Sequence, residues 1–98
     1  MYLLIDDERN YGADIIARTA KAGKLVLANL STDIDVLGID HDLGGNVTGY
    51  DIVKWALANG YLPNKVQVVS SNPVGRKAIA NVLLDNGYQS KDNTNFVK

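Results

Sequence analysis

Two acidic clusters, each closing an apolar run, are the residues of this chain best suited to chemistry. Leu3-Leu4-Ile5 leads into Asp6-Asp7-Glu8-Arg9, and Val36-Leu37-Gly38-Ile39 leads into Asp40-His41-Asp42. An apolar run that stops abruptly on carboxylates reads as a buried strand delivering charge to one rim of a parallel sheet. In open α/β sheets that rim, at the carboxyl ends of the strands, is where ligands bind. Carboxylates that converge there need a cation or a proton to coexist. Asp6, Asp7 and Asp40 supply the hard oxygen donors that suit Mg²⁺. His41, the only histidine, stands between two acids and can act as general acid or base. Asp40, His41 and Asp42 are therefore the catalytic candidates, and Asp7 and Asp42 are also ordinary turn formers.

A phosphate-binding segment follows further on. In Ser70-Ser71-Asn72-Pro73-Val74-Gly75-Arg76, hydroxyls and an amide precede a helix start whose free N–H groups and dipole attract anions. Gly75 permits close approach, and Arg76 offers a planar donor fork. Arg9 and Arg18 are further phosphate donors by the same chemistry. Each has a plain structural use as well: Ser71 or Asn72 caps the helix, and the arginines neutralise nearby acids.

These residues need elements to position them. The first strand is read over residues 2–5 or 2–6, and the next apolar run is Ile15-Ile16-Ala17. The eight residues between them, 7–14, span about 26 Å at roughly 3.3 Å each. That is enough to return along a strand but too short for a crossover with a helix, which needs at least about 10–12 residues. The usual first helix is therefore missing or reduced to a turn. Thr19 caps a short helix over Ala20–Leu30, with Ala22, Leu25, Val26 and Leu30 as its apolar stripe. A strand over residues 35–40 follows, then a glycine-rich loop over residues 43–49. Thr48 and Asp51 form a capping box for a helix whose apolar face is Ile52, Val53, Ala56 and Leu57. Gly60 ends that helix and Pro63 prevents its continuation. Residues 65–69 form a strand. Pro73 opens the last helix, with Val74, Ala78, Ile79, Val82 and Leu83 as its stripe and Gly87 at its end. Residues 94–97 add an edge strand. Strands alternating with helices give a single three-layer α/β domain over residues 1–98 with a mainly parallel sheet.

Composition narrows the function classes. With 98 residues there is room for one domain only, and 46% hydrophobic with 21% charged residues is ordinary for a globular protein. A formal net charge of −1 argues against a nucleic-acid duplex or an anionic membrane as partner. The absence of cysteine excludes disulfides, thiolate zinc sites and a cysteine nucleophile, and fits a cytoplasmic protein. Three apolar residues before the first acids make neither a signal peptide nor a membrane span.

From residue 2 to residue 84 the motifs resemble, in order and spacing, the cyclic-phosphate-processing receiver domains, divergent relatives of the response-regulator receiver. The carrying residues are Leu4-Ile5-Asp6-Asp7-Glu8-Arg9, Ala17-Arg18-Thr19-Ala20, Ile39-Asp40-His41-Asp42-Leu43-Gly44, Thr48-Gly49-Tyr50-Asp51 and Ser71-Asn72-Pro73-Val74-Gly75. The resemblance implies a receiver-like (flavodoxin-like) fold without its first helix and a site for a cyclic-phosphate nucleotide or cyclic oligonucleotide. It also implies a histidine just before the serine matching Ser71, where this chain has Ser70. That departure leaves His41 alone, which weakens hydrolysis and leaves ligand capture intact. Three functions follow as expectations. One is a phosphodiesterase in which His41 protonates the leaving oxygen. Another is a module that sequesters a nucleotide signal without turnover. The third is a phosphoacceptor receiver with Asp40 as acceptor, Ser70 as its hydroxyl and Lys98 as its lysine.

Overall fold

A computed structural model describes residues 1–98. The strands are β1 (Tyr2–Ile5), β2 (Ile15–Ala17), β3 (Val36–Ile39), β4 (Lys65–Val68) and β5 (Asn95–Val97). The helices are α1 (Ala20–Leu30), followed by a 3₁₀ turn (Ser31–Asp33), α2 (Gly49–Asn59) and α3 (Pro73–Asp85). One five-stranded sheet has the order β2-β1-β3-β4-β5. Its first four strands are parallel and β5 is antiparallel to β4. The α/β class and receiver-like strand order match the sequence reading. No helix in the chain is long and apolar enough to cross a membrane.

The missing first helix is equally plain. Between β1 and β2 the chain makes a turn with Tyr11 and Gly12 at positive φ (44° and 66°). The Asp14 N–H then returns to the Tyr2 carbonyl at 3.0 Å. The Asp14 carboxylate also accepts the Tyr2 N–H at 2.7 Å.

The expected third layer is absent from these residues. The two parallel crossovers, β2-α1-β3 and β3-α2-β4, step the same way across the sheet. With the usual single handedness of such connections they share one face. In agreement, α1 packs on α2 and α2 on α3. The register places Leu3, Ile5, Leu37, Ile39, Val66, Val68 and Phe96 on that face, in one cluster with Leu27, Ile52, Val53, Ala56, Ile79 and Leu83. Only a β1–β2 helix would step the other way.

The opposite face is covered by its own side chains. Gly38 sits mid-strand because Tyr2 and Leu4 fold across it. A Cβ there would lie 2.8 Å from Leu4 Cδ1 and 2.9 Å from the Tyr2 hydroxyl. That hydroxyl donates to Gln67 Oε1 at 3.2 Å, and Leu4 is wholly buried.

The helix starts are those expected. Ala22 N–H donates to Thr19 Oγ1 at 3.1 Å, Thr48 and Asp51 complete a reciprocal capping box, and Asn72 caps α3 with Pro73 in its first turn. Two buried stripes differ from expectation. In α1, Ala22, Val26 and Leu30 pack on the core as expected, but the fully buried residues are Gly23 and Leu27, and Leu25 is 56% exposed. A Cβ at Gly23 would come within 2.6 Å of Ile5 Cδ1, so the bare backbone admits β1's isoleucine and turns Leu25 outward. In α3, Gly75, Ile79, Ala80 and Leu83 face inward and Val74 is 79% exposed.

Candidate active site at the carboxyl rim of the sheet

Three hydrogen bonds extend the ladder one residue past the strands. Asp6 N–H donates to Ala17 O (3.0 Å), Asp40 N–H to Ile5 O (2.9 Å) and Val69 N–H to Ile39 O (3.0 Å). The residues that carry charge at the rim are thereby held as firmly as the sheet itself. Asp6, Asp40 and Ser70 are the chain's buried polar residues, at 0%, 5% and 2% exposure. Ligand oxygens of Asp6, Asp7 and Asp40 all lie within 4.8 Å of one another. Hard oxygen donors in that number and spacing could hold a metal ion. Asp6 and Asp40 would hold it from the buried side and Asp7 from the exposed side.

Burial sets these carboxylates apart. At Asp6, burial favours the neutral acid. The Arg9 and Glu8 N–H groups (2.9 and 2.8 Å to Oδ1) and the Arg9 guanidinium (2.9 Å to Oδ2) outweigh it and hold the carboxyl below its ordinary range. At Asp40 burial wins. A hydrogen bond from Ser70 and the charge of Arg9 oppose it, while Asp6 reinforces it, and the carboxyl is pushed upward. Arg9 reaches both acids, with Nη1 3.5 Å from Asp40 Oδ2.

The other half of the site is built on α3. Asn72 Oδ1 accepts the Val74 and Gly75 N–H groups at 3.0 and 3.1 Å. Its Nδ2 donates to Asp42 Oδ2 at 3.2 Å, which ties the Asp40-His41-Asp42 segment to the start of α3. Ser70 Oγ accepts the Asn72 N–H at 3.1 Å. Gly75 has a use other than the expected one. Its hydrogen faces the His41 ring, where a Cβ would stand 2.3 Å from Cγ. Gly75 thus seats the imidazole against α3, with Nδ1 buried and without a protein partner.

Fold, then, brings together Asp6, Asp7, Arg9, Asp40, His41, Asp42, Ser70, Asn72 and Gly75. Ser71 is exposed beside them. Two arginines expected to grip phosphate are engaged elsewhere. Arg18 donates to the carbonyls of Arg9 (2.7 Å) and Asp6 (3.4 Å) and to Asn10 Oδ1, clamping the β1–β2 connection. Arg76 donates to the carbonyls of Val68 (2.9 Å), Ser70 (3.0 Å) and Asn93 (3.2 Å) and to Thr94 Oγ1 (2.8 Å). It holds the end of β4 to the segment before β5. Lys98 is also remote. Because β5 is antiparallel, its end returns to the opposite rim, where Lys98 N–H donates to Asn64 O at 2.8 Å.

The sequence places Gly49 in the glycine-rich loop and in a family motif but gives it no role at the site. A Cβ there would fall 2.0 Å from the Asp40 carbonyl oxygen, and its N–H donates to His41 O at 2.9 Å. Its signal was a glycine immediately after the capping Thr48, a position with no conformational need for one.

The family model of the cyclic-phosphate processing receiver domain matches residues 1–85. The chain belongs to this family. Comparison with curated proteins and with solved structures gave no match. Membership in this receiver family agrees with the strand order and with the acids on β1 and β3 that meet at one rim.

Proposed function

We propose that the rim binds a cyclic-phosphate nucleotide and opens its phosphodiester ring by hydrolysis. The observation that carries this reading is the seating of His41 by Gly75 beside the Asp40–Asp42 segment and the start of α3. A divalent cation on Asp6, Asp7 and Asp40 would neutralise phosphoryl charge and act as a Lewis acid. The chain's own groups do the rest. The start of α3 favours the anion. Asp42, steadied by Asn72, takes a proton from the attacking water. As the P–O ester bond breaks, His41 gives a proton to the leaving oxygen. One water is consumed and a phosphomonoester with a free hydroxyl is released.

A second reading, capture without turnover, is supported by Ser70, which already bonds Asp40 and Asn72 and stands where the family resemblance implies a second histidine. One experiment separates the two. The protein is incubated with cyclic mono- and dinucleotides and 2′,3′-cyclic nucleotides, with and without Mg²⁺, and thermal shift and the fate of each ligand are read together. Stabilisation with a cleaved ligand, lost in His41→Ala while binding persists, supports hydrolysis. Stabilisation with intact ligand supports capture. Neither shift nor turnover across the panel would sink both.

A further inference from the structure

Arg9 occupies the place where a cation would neutralise the acids. Its Nη1 lies 2.9 Å from Asp6 Oδ2 and 3.5 Å from Asp40 Oδ2, between two carboxylates of the cation cluster. Its backbone is pinned on both sides, the N–H by Asp6 Oδ1 (2.9 Å) and the carbonyl by Arg18 Nη1 (2.7 Å). The side chain is not. It keeps 28% exposure, and Nη1 is the one nitrogen of its fork with a protein acceptor. A guanidinium offers five donors in a plane, so most donors of this one have no protein acceptor. Asp6 Oδ2 and Asp40 Oδ2 cannot serve a guanidinium and a divalent ion together at full strength.

Resting on the reading of Asp6, Asp7 and Asp40 as a cation site, we propose that Arg9 is its resident counter-ion. A divalent cation displaces the guanidinium from the acids, and the freed fork then takes the phosphate of the ligand. Arg18 is the positioning residue that holds Arg9's backbone in reach of both. Cation and phosphate therefore bind cooperatively. Each favours the state in which Arg9 has left the carboxylates, and by linkage the coupling is reciprocal. Without this exchange the rim stays neutralised internally, which accounts for two buried carboxylates coexisting in the fold.

Calorimetric titration of the full chain with Mg²⁺ and Mn²⁺, and with inorganic phosphate in the presence and absence of Mg²⁺, tests this. Arg9→Gln is expected to bind the cation about tenfold more tightly than the parent. Its phosphate affinity should be weak and no longer raised by Mg²⁺. Arg9→Lys, which keeps charge without the fork, should fall between. In the parent protein the ¹⁵N resonance of Arg9 Nε should shift with Mg²⁺ at the calorimetric midpoint, a readout that needs no variant. Cation binding of equal or lower affinity in Arg9→Gln, with an unmoved Nε resonance in the parent, overturns the exchange while leaving the cation site standing. No cation binding to either protein overturns both.

Discussion

Arg9 and Arg76 carry the same side chain at two ends of one rim and do opposite things. Arg9, over β1 and β3, is partly exposed and faces carboxylates that other cations can also satisfy. Arg76, over β4 and β5, spends its donors on three backbone carbonyls and a threonine hydroxyl. Backbone carbonyls at such a site have no alternative partner once water is excluded, so Arg76 is a structural tie. Carboxylates invite exchange. Residue type alone does not make an arginine a phosphate ligand; the partners it already has decide whether it is free to become one.

The contrast can be broken most forcefully at Arg76. Arg76→Ala should cost about 3 kcal/mol, since charge-assisted hydrogen bonds are lost and their acceptors left partly unpaired. Urea unfolding would show it as a lowered midpoint with the slope unchanged. An unaltered midpoint combined with lost ligand affinity would reverse the roles given to the two arginines.

Gly75→Ala comes next. A methyl at this position drives the His41 ring from its seat but leaves the acids in place. Turnover should fall about 10²-fold, the scale of losing a general acid, and should match that of His41→Ala. Cation binding at the β1/β3 end should be unchanged in calorimetry. If cation affinity falls as well, the two halves of the rim are one unit and the comparison fails.

Smaller effects sharpen the β1/β3 end itself. Without cation, Arg9→Gln should lower stability by about 1 kcal/mol, discounted for the exposure of its side chain. Asp40→Asn should raise it by a similar amount, about 1 kcal/mol, by removing a buried charge that is incompletely compensated. Both are read by thermal unfolding at pH 7.

The pH dependence of the two acids has opposite signs. Asp6 is held below its ordinary value of 3.8. Its contribution is therefore full above that value and is lost as pH falls through the lowered one. Asp40 is raised above the same ordinary value of 3.8. Its contribution is present below that value and disappears as pH rises through the raised one. Asp40→Asn should thus flatten the decline on the neutral side, and Asp6→Asn the loss in acid. An unfolding series between pH 3 and 7 would show the same profile for both variants if the assignment is wrong.

Much of this was legible because it is local. The caps at Thr19, Thr48 with Asp51, and Asn72 with Pro73 each satisfy orphan N–H groups within one turn, and such bonds depend on residues three apart. The length of the β1–β2 connection excluded a helix by arithmetic. The acids ending β1 and β3 could be placed on one rim because parallel strands end on the same side. What could not be read depended on where backbones approach one another. Gly23 against Ile5, Gly49 against Asp40 and Gly75 against His41 are contacts between distant segments, and a glycine's sequence neighbours do not say what lies over it. They put Gly23 and Gly75 among the buried residues of α1 and α3, and they gave Gly75 a role in seating histidine.

By itself, then, the sequence determined the alternation of strands and helices, the missing first helix, and a rim supplied with aspartates, a histidine and a helix start. Periodicity, caps and connection length are properties of neighbours along the chain. Tertiary structure alone decided that the three helices share one face, and that β5 carries Lys98 away from the acids. It also decided that Arg18 and Arg76 are bound to backbone while Arg9 is bound to Asp6 and Asp40. Charged side chains are long and select their partners only after the strands have registered, so their roles follow from the fold and not from their spacing.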